Sequence, residues 1–218
     1  MKTSLASSLL ATVVLIGAAG CSDPADSVPK SGASAPKETS SAASAAGGTE
    51  YVIRSGSKIE FVGSKVTGSH TGGFTNFAGT FKVQDGKITG SPEIRINMKS
   101  TWTDTARLTG HLRSPDFFDV EKIPLSTFTV TSIEPQGATS KVTGNLLLHG
   151  VTKSISFPAT ISVAPDALTV KAEFAINRKD FGIVYAGKSD DLIRDNVVLR
   201  LDLKATPGAA RPEDLVAN

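Results

Sequence analysis

The sequence has little of what catalytic and metal-binding proteins usually require. Its 218 residues include one cysteine and three histidines, so no disulfide can form within the chain and no common zinc-ligand spacing occurs. The G-x-S-x-G motif of serine hydrolases is absent. The formal net charge is only +2, and there is no run of basic residues. We therefore expect no enzymatic activity, no metal or other cofactor, and no nucleic-acid partner.

One phosphate-binding pattern is present but lies in the wrong context. Residues 182–189 match G-x-x-x-x-G-K-[ST], a loop that needs a buried parallel strand before it and a helix after it. Here the chain leads within a few residues into another strand, which leaves no room for that helix. Asp190, Asp191 and Asp195 are acidic enough to hold a cation loosely, but we interpret them as part of a solvated loop.

Long apolar runs are also missing. Leu9–Ile16 is apolar but too short to cross a bilayer as a helix, which takes roughly 20 residues. With Lys2 before it and small residues after it, it predicts a signal peptide at residues 1–20. The end of this segment resembles a bacterial lipobox, which implies that Cys21 is lipidated and anchors the protein in the bacterial cell envelope, at the periplasmic face of the outer membrane. The alternative is ordinary signal cleavage beside an incidental cysteine.

Composition divides the rest of the chain into three parts. In residues 22–49, 20 of 28 residues are Ser, Ala, Pro or Gly, and such a segment cannot bury enough surface to offset its ordering entropy. We therefore predict that residues 21–49 comprise the lipidated cysteine and a disordered tether. All ten phenylalanines lie within a predicted domain at residues 50–206. A short disordered tail is predicted at residues 207–218.

Alternation of apolar and polar residues with a period of two dominates this domain. It predicts about eight strands, whose apolar residues are Ile59 and Phe61; Phe81 and Val83; Ile94, Ile96 and Met98; Phe128 and Val130; Val142, Leu146 and Leu148; Ile155, Phe157, Ile161 and Val163; Leu168, Val170, Phe174 and Ile176; and Val197, Leu199, Leu201 and Leu203. Short turn signals such as Asp85-Gly86 favour antiparallel hairpins over parallel crossovers.

One stretch breaks the alternation. Leu108 and Leu112 are four residues apart, which is typical of a helix, and Thr103 or Asp104 is predicted to cap its start. We therefore predict an all-β fold: an eight-stranded antiparallel barrel with one short helical insertion that plugs or gates one end. A closed barrel also removes exposed strand edges.

The inward-facing residues of the predicted barrel are apolar and uncharged. An eight-stranded barrel has an interior that is filled by side chains or is just wide enough for one small ligand. Such a lining suits an apolar ligand. Periodicity alone does not separate a lined cavity from a dry core, and on that basis the dry core is favoured.

Four blocks of residues occur in a characteristic order. They are His111–Val120 with Ile123-Pro124 and Thr127-Phe128 after it, Gly144–Lys153, Ile176–Ile183, and Ile193–Val197. Together they resemble the YceI-like family of bacterial exported lipid-binding proteins, over roughly residues 50–205. The resemblance implies a lipocalin-like barrel that holds a long isoprenoid or a related amphiphile, here as a lipoprotein variant. Many relatives carry Arg-Asp where this chain has Leu108-Thr109, which makes the helix face more apolar.

Two arguments together define a candidate site: which residues of each strand face the barrel interior, and the resemblance to the family. In this site an isoprenoid tail would lie along the barrel axis. The predicted lining residues are Phe61, Phe81, Ile96, Met98, Phe128, Leu146, Leu148, Phe157, Phe174 and Ile176. The predicted helix-side gate consists of Leu108, Leu112, Phe117 and Phe118. The candidates to meet a polar head are His111, Arg113 and Arg178. For the two arginines, structural pairing with Asp116 or Asp180 is the preferred interpretation.

We therefore expect a membrane-tethered periplasmic protein that holds a polyisoprenoid or similar long-chain amphiphile for carriage, storage or stress response. One alternative is a binding module for a fatty acid or fatty amide. Another is a structural or stress protein with a filled barrel and no ligand. A homodimer is compatible with the sequence.

Overall fold

The computed structural model describes residues 22–39 and 47–210. The predicted signal peptide and Cys21 lie outside the described residues, as do part of the predicted tether and residues 211–218. The strands are β1 (Lys30–Ser31), β2 (Thr49–Ile53), β3 (Lys58–Lys65), β4 (Gly68–Phe74), β5 (Phe77–Gln84), β6 (Lys87–Asn97), β7 (Thr101–Thr103), β8 (Leu125–Gln136), β9 (Thr139–Leu148), β10 (Val151–Val163), β11 (Leu168–Asn177), β12 (Gly187–Lys188), β13 (Asp191–Leu192) and β14 (Asn196–Pro207). The α-helix is α1 (Ala106–Arg113), and 3-10 helices occur at Pro24–Ser27, Met98–Ser100 and Arg178–Phe181.

Strand pairing closes the sheet into a barrel. Antiparallel neighbours run in the order β11–β10–β9–β8–β6–β5–β2–β14, and β14 pairs with β11 again to complete the ring. This confirms the predicted all-β, eight-stranded antiparallel barrel with one short helix. Among the described residues, no helix combines the length and apolar character that crossing a membrane would require.

Three of the eight wall strands are interrupted midway. β14 pairs with β2 at residues 205–207 and with β3 at residues 198–202, so β2 and β3 are two halves of one long strand. β4 and β5 are related in the same way, because β4 pairs with β3 and β5 pairs with β2. β6 and β7 repeat the arrangement. The alternation in the sequence revealed only β3, β5 and β6, since the other halves are short or rich in glycine.

The helix lies between β7 and β8 as predicted, but neither predicted residue caps it. The N-cap is Thr105, whose side chain makes no capping hydrogen bond. The carboxylate of Asp104 lies 2.9 Å from His70 Nδ1 and accepts a hydrogen bond from the Thr71 N–H instead. The hydroxyl of Thr103 donates to the carbonyl of Thr105, ahead of the first helical turn.

The prediction of a disordered tether is wrong for residues 22–37, which precede the barrel and are ordered. Residues 22–37, which we term the strap, lie against the outside of the wall. Ala25 is fully buried against Val62, Ala175 and Val198, which belong to three neighbouring strands. The Asp23 carboxylate accepts a hydrogen bond from the Ala25 N–H at the start of the first 3-10 helix.

The strap also fills a gap in the wall. β10 and β11 pair only next to their hairpin, over residues 160–163 and 168–171. Where that pairing has ended, β1 pairs in parallel with Ala175 and Ile176 of β11, and Ser34 forms a bridge to Ser154 of β10. Backbone groups of strand edges need hydrogen-bond partners. The strap is therefore ordered by backbone bonding more than by apolar side chains, which composition does not reveal.

The two ends of the barrel differ. The closed end carries the β5–β6, β8–β9 and β10–β11 hairpins and is filled by Tyr51, Phe81, Leu168 and Leu203, each at most 4% exposed. The opposite end, which we term the mouth, carries α1, the β3–β4 hairpin and residues 182–195. Beside the closed end, Pro207 still pairs with Tyr51, so the chain leaves the barrel later than the tail prediction placed it.

Candidate functional site

The barrel encloses a cavity of about 700 Å³ between the closed end and the mouth. Thirteen of the fourteen apolar residues proposed from the sequence border it. They are Phe61, Ile96, Met98, Leu108, Leu112, Phe117, Phe118, Phe128, Leu146, Leu148, Phe157, Phe174 and Ile176. The structure therefore brings the predicted lining and the predicted gate together around one space.

Phe81 is the apolar residue that the prediction misplaced. It does not border the cavity, because it lies opposite Tyr51 in the β2–β5 pair and packs into the closed end. Alternation along a strand fixes the face on which a side chain lies, but not its depth along the barrel axis. Phe81 thus faces the barrel interior as predicted, but it forms part of the closed end.

Two glycines keep phenylalanine rings close to the wall. A Cβ atom on Gly72 would lie 2.4 Å from Phe61 Cζ, and one on Gly144 would lie 2.5 Å from Phe128 Cζ. Carbon atoms in contact normally lie about 3.5–4.0 Å apart. Each ring therefore covers the bare backbone of the neighbouring strand, a position that any other residue at the glycine would disturb. This arrangement leaves open space beside the ring.

Aromatic rings also organise the interior. Phe61, Phe74 and Phe118 form a group with centroid separations of 5.8, 6.4 and 6.2 Å. Deeper in the barrel, Phe157 stacks on Phe174 at 4.0 Å with the ring planes 2° apart. All five border the cavity, so much of its surface is aromatic and offers no hydrogen bond to a ligand.

His111 is the polar-head candidate with a defined place at the mouth. Its ring lies 4.9 Å from Phe117 and 5.0 Å from Tyr185, centroid to centroid. Its Nε2 lies 2.9 Å from Asp116 Oδ2. The carboxylate and the two rings fix the orientation of the imidazole where it borders the cavity.

Arg178 borders the cavity, but its guanidinium is hydrogen-bonded to backbone carbonyls of the protein itself. Its Nη1 donates to the carbonyl of Ile183 at 2.7 Å, and its Nε donates to the carbonyl of Arg194 at 3.1 Å. Burial lowers the pKa of this guanidinium, and Asp195, 3.6 Å away, opposes that shift. The side chain is only 5% exposed. Arg178 therefore holds together the loop of residues 183–194 at the mouth.

Arg113 does not reach the cavity. Its Nη2 donates to the carbonyl of Thr101 at 2.6 Å, which ties the end of α1 to β7. Within the described residues, neither Arg113 nor Arg178 pairs with Asp116 or Asp180. The predicted pairing with Asp116 or Asp180 is therefore wrong for both arginines, which bind backbone carbonyls instead.

The structure adds charged residues that the sequence did not single out. Lys65, His70, Arg107 and Lys188 border the cavity at the mouth, where no Asp or Glu of the described chain does. Lys65 donates to the carboxylate of Asp191, which holds the pKa of that carboxyl below its usual range. These residues come from β3, β4, β12 and α1, so no sequence spacing could have grouped them. The described residues contain no cluster of His, Cys, Asp and Glu suited to a metal ion.

Several apolar lining residues were visible in the alternation but were not named as site residues. They are Ile59, Ile94, Ile155, Val197, Leu199 and Leu201. Phe74, Ile183 and Ile193 also border the cavity and lie in segments that gave no strand signal. β4, which contains Phe74, has three glycines in seven residues and so lacks the apolar alternation.

Comparison with known proteins agrees with this architecture. The family model of the YceI-like domain matches residues 51–205. A UPF0312 protein of Pseudomonas putida (strain W619) is 35% identical over 159 residues, which cover 66% of this chain and 81% of that protein.

Two solved structures share the fold. BcnA of Burkholderia cenocepacia is 24% identical, with a TM-score of 0.62, and the match covers 69% of this chain and 96% of that one. A polyisoprenoid binding domain from Saccharophagus degradans is 18% identical, also with a TM-score of 0.62, and the match covers 74% of this chain and 100% of that one. The strap precedes the region that the family model covers.

Proposed function

The chain belongs to the YceI-like family, and from this membership and the cavity we propose that it holds a polyisoprenoid or a similar long-chain amphiphile inside its barrel. The observation that carries the proposal is a cavity of about 700 Å³ that is lined mainly by aliphatic side chains and phenylalanine rings. Small-molecule sites have volumes of roughly 300–1,000 Å³ and predominantly apolar linings. The Saccharophagus degradans domain with the same fold is described as polyisoprenoid binding, which supports the same class of ligand here.

The physical basis of binding is burial of the hydrocarbon tail. Each CH₂ group removed from water contributes about 0.8 kcal/mol. A tail lying among Phe61, Phe128 and Phe174 can therefore bind well without strong polar contacts, and the polar head would remain at the mouth near His111. Nothing in this arrangement requires a chemical step, so we propose binding and not catalysis.

The setting of this function is also part of the proposal. We place the protein in the bacterial cell envelope, held to the periplasmic face of the outer membrane by acyl chains on Cys21. The sequence pattern at residues 1–21 supports this placement. Two or more acyl chains give stable anchoring, whereas one chain binds only marginally.

A fatty acid or fatty amide is the alternative cargo, because one straight chain also fits an apolar cavity. Arg107 and Lys188, which border the cavity at the mouth and form no ion pair in the described part of the chain, favour a carboxylate head over an amide within that class. A filled barrel without a ligand is the weakest alternative, since a cavity of this size contrasts with interiors that normally contain few voids larger than a water molecule.

Extraction of the native protein tests the proposal. The full-length chain is purified from its own membranes, extracted with organic solvent, and the bound compounds are identified by mass spectrometry. We expect about one long-chain lipid per protein, and we expect the delipidated protein to take up added polyprenol. An empty extract together with no uptake of polyprenol or fatty acid would overturn the proposal.

A further inference from the structure

The outside of the mouth carries exposed apolar side chains in addition to the basic residues that border the cavity there. Three large apolar side chains are strongly exposed among the described residues: Val66 at 54%, Val184 at 65% and Leu192 at 50%. All three belong to the mouth. Val66 lies in the β3–β4 hairpin, and its N–H donates to the carbonyl of Leu192 at 3.2 Å. We term these three residues the apolar rim.

The rim surrounds the opening and is not a separate surface. Lys65, Ile183 and Ile193 are sequence neighbours of the three rim residues, and all border the cavity. Arg178 fixes the segments that carry Val184 and Leu192, because it donates hydrogen bonds to the carbonyls of the adjacent Ile183 and Ile193. Exposed apolar groups grouped at one functional opening typically mark an interaction surface, whereas single scattered ones do not.

The strap brings the N-terminal end of the described chain to this same opening. The hydroxyl of Ser64, which borders the cavity, donates to the Asp23 carboxylate at 3.4 Å. Arg194 Nη1 lies 3.8 Å from the other oxygen of that carboxylate. Asp23 is therefore fixed beside the β3–β4 hairpin, next to the rim.

Only Ser22 separates Asp23 from Cys21. Two residues of chain reach at most about 7 Å. An acyl group on Cys21 would therefore enter a bilayer beside the mouth, and not at the end of a tether tens of ångströms long.

We propose that the strap and the apolar rim together dock the mouth of the barrel on the surface of the membrane in which Cys21 is anchored. This inference rests on the anchoring and the lipid cargo proposed above. The occupant of the rim is the bilayer, because the acyl chains proposed on Cys21 would enter it within two residues of Asp23. In this orientation a hydrocarbon tail passes from the membrane to the cavity without crossing water, where its exposure would be costly.

The orientation is tested with labels at the two ends of the barrel. The mature full-length protein carries Leu192→Cys in one sample and Asp166→Cys in the other, each labelled with a fluorophore. Position 166 is exposed in the hairpin of the closed end and provides the matched control. Lipidated Cys21 takes no label. The proteins are inserted into vesicles of phosphatidylethanolamine and phosphatidylglycerol, with and without brominated acyl chains as quenchers.

We expect at least twofold stronger quenching at position 192 than at position 166. Equal quenching at both positions would overturn the docking. So would a change in the label at position 192 that depends on protein concentration and occurs without vesicles, because the rim would then be covered by a second copy. A mature chain without acyl mass on Cys21 would contradict the docking as well, since the anchor would be missing.

The role of the strap is tested in the same assay. Ala25→Lys places a long charged side chain where Ala25 is fully buried against the wall. We expect this variant to stay on the vesicles through its acyl chains, while the quenching at position 192 falls to that at position 166. Asp23→Ala, which removes the contacts to Ser64 and Arg194 and the capping hydrogen bond from the Ala25 N–H, is the milder variant if Ala25→Lys fails to fold. Unchanged quenching in a folded strap variant would contradict the role of the strap.

Solvent extraction of the same samples separates this inference from the proposed function. A full lipid content together with equal quenching at both ends would leave the lipid-binding function intact and remove only the docking. An empty cavity with strong quenching at position 192 would contradict lipid binding in the cavity and support the docked orientation.

Discussion

The closed end and the mouth of the barrel are built from the same alternating strands but use their inward side chains differently. At the closed end, Tyr51 and Phe81 fill the axis, and Tyr51 Oη lies 2.8 Å from the carbonyl oxygen of Ala164. Toward the mouth, Phe61 and Phe128 lie over glycines and leave the axis open. Both regions are apolar, so in this barrel the placement of the rings relative to the neighbouring strands distinguishes the filled end from the hollow part.

Truncating one side chain at each end is the strongest test of this contrast. Phe81→Ala opens a new void in a packed region and should cost about 3–5 kcal/mol in the free energy of unfolding. Leu148→Ala only enlarges an existing cavity and should cost less than about 2 kcal/mol. Urea unfolding of the delipidated proteins measures both values. Equal losses would show that the two ends are packed alike.

Filling the cavity with a larger side chain should strongly weaken the uptake of polyprenol. Leu146→Trp adds a large ring where Leu146 borders the cavity. We expect uptake of polyprenol to weaken at least tenfold, which corresponds to about 1.4 kcal/mol, because the ring occupies volume that the tail needs. Phe81→Leu at the closed end is the control and should leave uptake within twofold. Normal uptake by a folded Leu146→Trp variant would place the ligand elsewhere.

The glycine beneath Phe128 provides a smaller and more specific test. Gly144→Ala places a Cβ 2.5 Å from the ring and 2.6 Å from the carbonyl oxygen of Thr129, so the wall or the ring must move. Overpacking of this kind costs about 1–3 kcal/mol. Gly63→Ala, also in a strand that borders the cavity, meets no atom within 4 Å and should change stability little. Thermal unfolding of the two variants gives the comparison, and equal shifts would argue against a steric role for Gly144.

The smallest expected effect concerns the head of the ligand. Arg107 and Lys188 border the cavity and form no ion pair within the described part of the chain. Exposed charge pairs contribute about 0–1 kcal/mol. Replacing both residues by Ala should therefore weaken palmitate binding by up to about fivefold and leave palmitamide binding unchanged, as measured by titration. Lys171→Ala, on the outer surface, is the control. An equal loss for both ligands would assign the two residues to the tail or to the fold.

The sequence predicted most of the barrel because most of its long strands alternate apolar and polar residues. It also predicted the lining, because parity along a strand decides which face a residue occupies. The face on which a residue lies does not give its position along the barrel axis. Phe81 was therefore assigned to the cavity, although it lies in the closed end. The basic residues of the mouth come from separate segments that meet only in the folded chain.

The strap was missed for a different reason. Its Ser, Ala and Pro content is that of a disordered segment, and burial of apolar surface is the property that composition reports. Its order comes from backbone pairing with Ala175 and Ile176 and from one small residue, Ala25, that fits against three strands. Such contacts depend on a gap in the barrel wall that exists only after the barrel has formed.

The central claim is that the apolar cavity holds the hydrocarbon tail of a lipid. The most direct measurement is a crystal structure of the full protein loaded with a lipid that carries bromine in its chain, with the bromine located by anomalous scattering. We predict a bromine peak inside the barrel, among the rings of Phe61, Phe128 and Phe174. A bromine peak found only on the outer surface, or a cavity filled by rearranged phenylalanine rings, would contradict the account.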